Sequence, residues 1–135
     1  DEAVRQLQES LLMDRAQPEL AMLLARQHVD SGELRSALEV LYKSAPSAAG
    51  KADYQAFMAA VLQRDRRHKE AAERYTNALR LNPQNGVWWM GLGISLQADY
   101  RLREAYEAFL HAKQTNTLSP ELTGFVDQRI TALAR

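Results

Sequence analysis

Residues 86–119 read GVWWMGLGISLQADYRLREAYEAFLHAKQTNTLS, and two apolar stripes run through them. Trp89, Leu92, Gly93 and Leu96 fall at i, i+3, i+4 and i+7, which is one face of a helix. Ala105, Phe109 and Ala112 fall at i, i+4 and i+7, one face of a second. Glu104, Glu107 and His111 lie outside that second stripe, on the side left to water. Gly93 and Ala105 remove side-chain volume where two helix backbones approach. Trp89 and Phe109 are expected to fill the space around them, each buried against the other's helix.

Outward from this stretch the same columns recur. Ala3, Ala37, Ala71 and Ala105 are separated by 34 residues three times over. Leu7, Leu41, Tyr75 and Phe109 follow four places later, and Ser10, Ser44, Ala78 and Ala112 three places after those. A fixed period of this kind marks an array of helical pairs, because one pair cannot bury its apolar face alone and needs a neighbour to stack on. Asn82-Pro83-Gln84-Asn85 separates two such pairs, since proline cannot continue a helix interior but fits a first turn.

Three full units follow, at residues 18–51, 52–85 and 86–119. Residues 1–14 carry Ala3, Leu7 and Ser10 in register and read as the second helix of a unit whose first helix lies upstream, so the chain reads as part of a longer protein. Val4, Leu7 and Leu11 then lack the helix expected before them, and this uncovered face is expected to pair with a second copy as a dimer. Ser119-Pro120-Glu121 supplies a capping serine, a first-turn proline and an acid at the positive helix end. It opens a capping helix over residues 120–135, with Leu122, Phe125, Val126, Ile130 and Leu133 toward the array.

At these residues the chain resembles the tetratricopeptide repeat family, whose 34-residue helix-turn-helix carries a Trp, Leu-Gly, Tyr, Ala, Phe, Ala, Pro pattern. The third unit matches at Trp89, Leu92-Gly93, Ala105, Phe109 and Ala112, has Leu96 for the tyrosine, and departs at Thr117, where proline is expected. The second keeps Ala71, Tyr75, Ala78 and Pro83 but has Gln55 for the tryptophan and Met58-Ala59 for Leu-Gly. The first keeps Leu24-Ala25, Ala37, Leu41 and Ser44, with Gly32 in its turn and His28 in the tyrosine column. The resemblance implies an all-α, right-handed helical solenoid of about three repeats, a half repeat and a cap, serving as a protein-binding scaffold and not an enzyme.

Lysine plus arginine and aspartate plus glutamate number 17 each, so formal net charge is zero, which gives no electrostatic reason for nucleic acid or direct membrane contact. The apolar runs are far short of the roughly 20 residues that span a bilayer. There is no cysteine, hence neither disulfide nor thiolate ligand. His28, His68 and His111, read as a buried column, a turn and an outer face, show no metal-ligand spacing, and no cofactor is expected. Gly91-Leu92-Gly93 shares only its glycines with a phosphate loop, since it sits in mid-helix without the lysine. Catalytic residues are therefore none. The basic run from Arg64 to Lys69 reads as a solvated turn, with docking of an acidic partner or of lipid headgroups as the functional alternative.

What remains for function is the inner surface, made by the outward face of each first helix. Met22, Arg26, Phe57, Ala60, Met90, Ile94 and Gln97 are expected to line a groove there for a protein partner, an amphipathic helix or an extended apolar peptide. Packing of Met90 and Ile94 against the next unit and the cap is the competing reading. Co-chaperone members of the family hold an acidic peptide terminus with Lys, Asn and Arg at such places. Here those places carry Met22, Arg26, Phe57, Val87 and Gly91, so that clamp is missing.

A narrower resemblance rests on Trp88-Trp89-Met90-Gly91-Leu92-Gly93, Leu118-Ser119-Pro120-Glu121-Leu122 and Phe125-Val126-Asp127-Gln128-Arg129-Ile130. Through them the third unit with its capping helix, about fifty residues, is similar to the carboxyl-terminal repeats of the biogenesis protein N family of the mannose-sensitive haemagglutinin (MSHA) type IV pilus. That implies a periplasmic assembly factor anchored in the inner membrane by an upstream segment, with a pilus assembly component as partner. The alternative is a soluble chaperone holding apolar segments of secretion substrates.

Overall fold

The computed structural model describes residues 1–13 and 18–135, with side chains for residues 1–8 and 18–135. The described residues form eight α-helices and no strand: α1 Glu2–Met13, α2 Pro18–Asp30, α3 Leu34–Ser44, α4 Ala52–Arg64, α5 His68–Leu81, α6 Gly86–Ala98, α7 Leu102–Gln114 and α8 Pro120–Leu133. A 3-10 turn, Ala45–Ala48, joins α3 to α4. The period is carried into the backbone. First helices begin at Pro18, Ala52, Gly86 and Pro120, each 34 residues after the last, and second helices at Leu34, His68 and Leu102. The helix expected as a cap, α8, thus stands where the first helix of a fourth unit belongs, and Val126, one period beyond Leu92, is fully buried.

Each intra-unit turn solves one problem in the same way. The last carbonyls of a helix have no partner within it. The amide N–H groups of Glu33, Arg67 and Arg101 donate to the carbonyls of His28, Leu62 and Leu96, and those of Gly32, Arg66 and Tyr100 to Val29, Gln63 and Gln97. This pair of bonds is a Schellman motif, which places one residue in the left-handed region. That residue is Gly32 at φ 77°, then Arg66 at 62° and Tyr100 at 61°. Only the first has no Cβ to clash. The residue after it turns straight into the next helix, its carbonyl accepting from Ala37, Ala71 or Ala105.

These three alanines are fully buried between helices. Around them the core falls into two clusters, one centred on Leu24, Leu38, Leu41, Tyr54 and Leu62, the other on Tyr75, Leu92, Leu96, Phe109 and Val126. Ala3, in the same column, is exposed, since no described helix lies against that side of α1. Val4 and Leu7 instead turn inward, half-buried on the first cluster; Leu11 lies outside the described side chains.

One core expectation is corrected. Phe109 is fully buried, with its ring against Gly93, where a Cβ would come within 2.8 Å. Trp89 is only half-buried. Its indole stacks on His111 at the edge of the unit, ring centroids 4.4 Å apart, and its Nε1 donates to the Pro83 carbonyl at 2.8 Å. An indole N–H in a closed apolar core would lack a partner, and at the edge it finds one. Gln55, one period earlier, is buried, with Nε2 donating to the Ala48 carbonyl.

The turn geometry yields a direct test. A left-handed residue bearing a Cβ is strained by about 1–2 kcal/mol, part of which is offset because glycine also loosens the unfolded chain. Arg66→Gly and Tyr100→Gly are each expected to raise stability by about 0.5–1 kcal/mol in urea unfolding, and Gly32→Ala to lower it by a similar amount.

Candidate functional site

The inner stripe depends on how α6 is seated. Asn85 Oδ1 accepts from the Trp88 amide at 3.1 Å, and Thr117 Oγ1, at the place where the repeat pattern has proline, accepts from the Gly86 amide at 3.0 Å. Together they satisfy two N–H groups that the first turn leaves open. Gly91 lets α6 lie directly on Tyr75 of α5, since a Cβ there would come within 2.5 Å of the ring. Gln63 then ties α4 to α6, its Nε2 donating to the Gly91 carbonyl at 2.9 Å and the Ser95 hydroxyl at 2.8 Å.

On this frame Met22 and Phe57 are half-buried against the first core cluster, and Met90 and Ile94 against the second. Ala60 and Gln97 are half-buried as well, while Arg26 is exposed, its guanidinium 5.2 Å from the Phe57 ring centre. The stripe therefore rests on the core with one side of each apolar residue and meets solvent with the other. Its flanks are more open: Leu23 is 50% exposed and Val87 47%. Three of their neighbours on α4 and α6 have other duties. Ala56 is buried, Gly91 is covered by Tyr75, and Gln63 is spent on the α4–α6 tie.

The basic run is less bare than its sequence. Arg67 pairs with Asp65 at 2.9 Å, and the cleft of about 710 Å³ beside Arg66, His68 and Lys69 also contains Glu70, Glu73 and Asp99. His68 is the first residue of α5 and not part of the turn, and its Nδ1 is buried without a hydrogen-bond partner. His28, placed in a buried column by the repeat register, is half-buried and 3.3 Å from Glu33. No three His, Cys, Asp or Glu residues among those described gather as a metal site. No described helix is long and apolar enough to cross a membrane.

The sequence matches no protein-family profile and no curated protein. Its fold does match solved structures. A MamA protein superposes with a TM-score of 0.82 at 20% identity, covering 97% of this chain and 69% of that one. The Yersinia enterocolitica type III secretion chaperone SycD, in complex with a peptide of the translocator YopD, gives 0.78 at 18% identity, covering 86% and 91%. The first tetratricopeptide repeat domain of Spaghetti (RPAP3), bound to an HSP90 peptide, gives 0.77 at 16% identity, covering 88% and 94%. The chain has the tetratricopeptide-repeat solenoid fold. At these identities the likeness is one of backbone, and the residues of this repeat domain speak for themselves.

Tyr75, the support beneath α6, also sets a pH limit. Burial pushes its phenol up to about 12 from an ordinary 10.0. Tyr54 is pushed up too, by burial, with Arg74 pulling the other way. A raised folded value favours the neutral phenol in the folded state, so its contribution is complete below pH 10 and is lost as pH rises from 10 to 12. Stability is expected to fall across that window, and Tyr75→Phe to flatten the fall by about 2–3 kcal/mol in urea titrations taken at successive pH values.

Proposed function

We propose that this repeat domain is a non-catalytic scaffold that holds a protein partner along Met22, Arg26, Phe57, Ala60, Met90, Ile94 and Gln97. The observation that carries this is the half-burial of apolar side chains from three successive first helices, which are fixed by the core yet still open to a partner. The partner's chemistry follows: an amphipathic helix or extended apolar peptide gains by covering methionine and phenylalanine, and Arg26 and Gln97 form a polar rim. The peptide complexes of SycD and RPAP3 support partner binding by this fold.

The finer reading is assembly of an MSHA-type type IV pilus, with the domain in the periplasm and tethered to the inner membrane by a preceding segment. It is supported by the likeness of the third unit and α8 to the pilus biogenesis repeats. The second reading, a soluble chaperone of secretion substrates, is favoured by the likeness to SycD. Photocrosslinking from Met90 and Phe57 in living cells separates the two: a periplasmic pilus component as the adduct supports the first, an unfolded secretion substrate in the cytosol the second. In either case Met90→Glu places a charge where the partner must shed water. It is expected to weaken binding by more than about 2 kcal/mol, roughly 30-fold, with helicity unchanged by circular dichroism. Undiminished binding by a folded Met90→Glu, Phe57→Glu protein would remove the partner from this stripe.

A further inference from the structure

The repeat contains its own control for one cavity. In the third unit Trp89 stacks on His111 and donates to the Pro83 carbonyl. Subtracting 34 from these numbers gives the same places in the second unit: Gln55, Asn77 and Ala49. All three are smaller and none is aromatic, so the volume that the indole and imidazole fill in one unit is left unfilled in the other. At that place the structure has an open cleft of about 620 Å³, lined by those three residues and walled on its apolar sides by Tyr42, Pro46 and Leu81. Leu81 is 48% exposed.

The same subtraction shows a change of charge. Arg74 stands where the third unit has Ala108, and Arg80 where it has Gln114. Both line the cleft, and no acidic residue does. Arg74 Nη1 donates to Gln55 Oε1 and Arg80 Nη1 to Asn77 Oδ1, each at 3.3 Å. These are neutral amides, and among the described residues no ion pair compensates either guanidinium. Glu70, which does not line the cleft, accepts from the Tyr42 hydroxyl. Two cations facing an aromatic-sized gap call for an anion carried beside a flat ring, since guanidinium forks bind carboxylates and stack on aromatic faces.

We infer that this cleft binds a peptide segment presenting an aromatic side chain next to a carboxylate. The ring takes the place that Trp89 fills one repeat later, and the carboxylate meets Arg74 and Arg80. The surface is separate from the inner stripe: Gln55 and Phe57 are two residues apart on α4, about 200° around the helix, and none of the stripe residues lines the cleft. A partner can therefore occupy both surfaces at once, and linking two sites raises affinity without any new contact.

The test is an amide NMR titration of the parent protein with N-acetyltryptophan, with N-acetyltryptophan amide and acetate as controls. N-acetyltryptophan is expected to shift the amides of Gln55, Asn77 and Leu81, and the uncharged amide to bind at least about tenfold more weakly, as for loss of one charge-assisted contact. Two variants copy the third unit. Gln55→Trp with Asn77→His fills the cleft from within and is expected to raise the melting temperature and abolish the shifts. Arg74→Ala with Arg80→Gln is expected to make the acid and the amide bind equally. The inference is overturned by absence of shifts at these residues, by shifts that survive in the filled variant, by equal binding of acid and amide to the parent, by acetate alone reproducing the effect, or by shifts confined to the region of Met90.

Discussion

The close approach of helices at columns of minimal side chains is the constraint on which everything else depends. Ala37, Ala71 and Ala105 are fully buried, and Gly91 and Gly93 sit where even a methyl group would meet the rings of Tyr75 and Phe109. A buried phenylalanine is worth about 1.5–3 kcal/mol through its apolar area, but only if the facing backbone comes close enough to exclude water. Glycine in a helix costs roughly 1 kcal/mol in propensity. The packing it permits offsets that cost and passes the register from one unit to the next.

The solenoid was legible because its period repeats small and large residues in fixed columns, and that same regularity hid what the columns do not share. The left-handed turn residue was visible at Gly32, while Arg66 and Tyr100 at the same place carry no signal in their residue type. Trp89 was read as core because of its size. Its N–H, which needs a partner, puts it at the unit's edge against the Pro83 carbonyl. Thr117 looked like a defect in the pattern and proves to be a hydrogen-bond acceptor for the start of α6. Within the stripe, helical phase placed Met22, Phe57, Met90 and Ile94 on one side, but it did not show that Tyr75 covers Gly91 or that Gln63 reaches across to Ser95. Such contacts depend on the distance between helices, which a single sequence does not carry.

The two surfaces proposed for binding are built differently. The inner stripe alternates apolar side chains held half in the core with a polar rim. The cleft lies where the second unit has a glutamine and the third a tryptophan. A repeat array can vary one unit without unfolding its neighbours, since each unit contacts only those beside it. The second unit uses that freedom to leave a space open and to line it with Arg74 and Arg80.

A double-mutant cycle between Gly93→Ala and Phe109→Leu bears most directly on the close-packed register. Alanine improves helix propensity by about 1 kcal/mol, whereas a methyl against the Phe109 ring costs about 1–3 kcal/mol in overpacking. Gly93→Ala is therefore expected to destabilise the parent and to stabilise the Phe109→Leu background, with a coupling of at least about 1 kcal/mol in urea unfolding. Additive effects, with Gly93→Ala stabilising in both backgrounds, would contradict the contact between Gly93 and Phe109 and the stacking built on it.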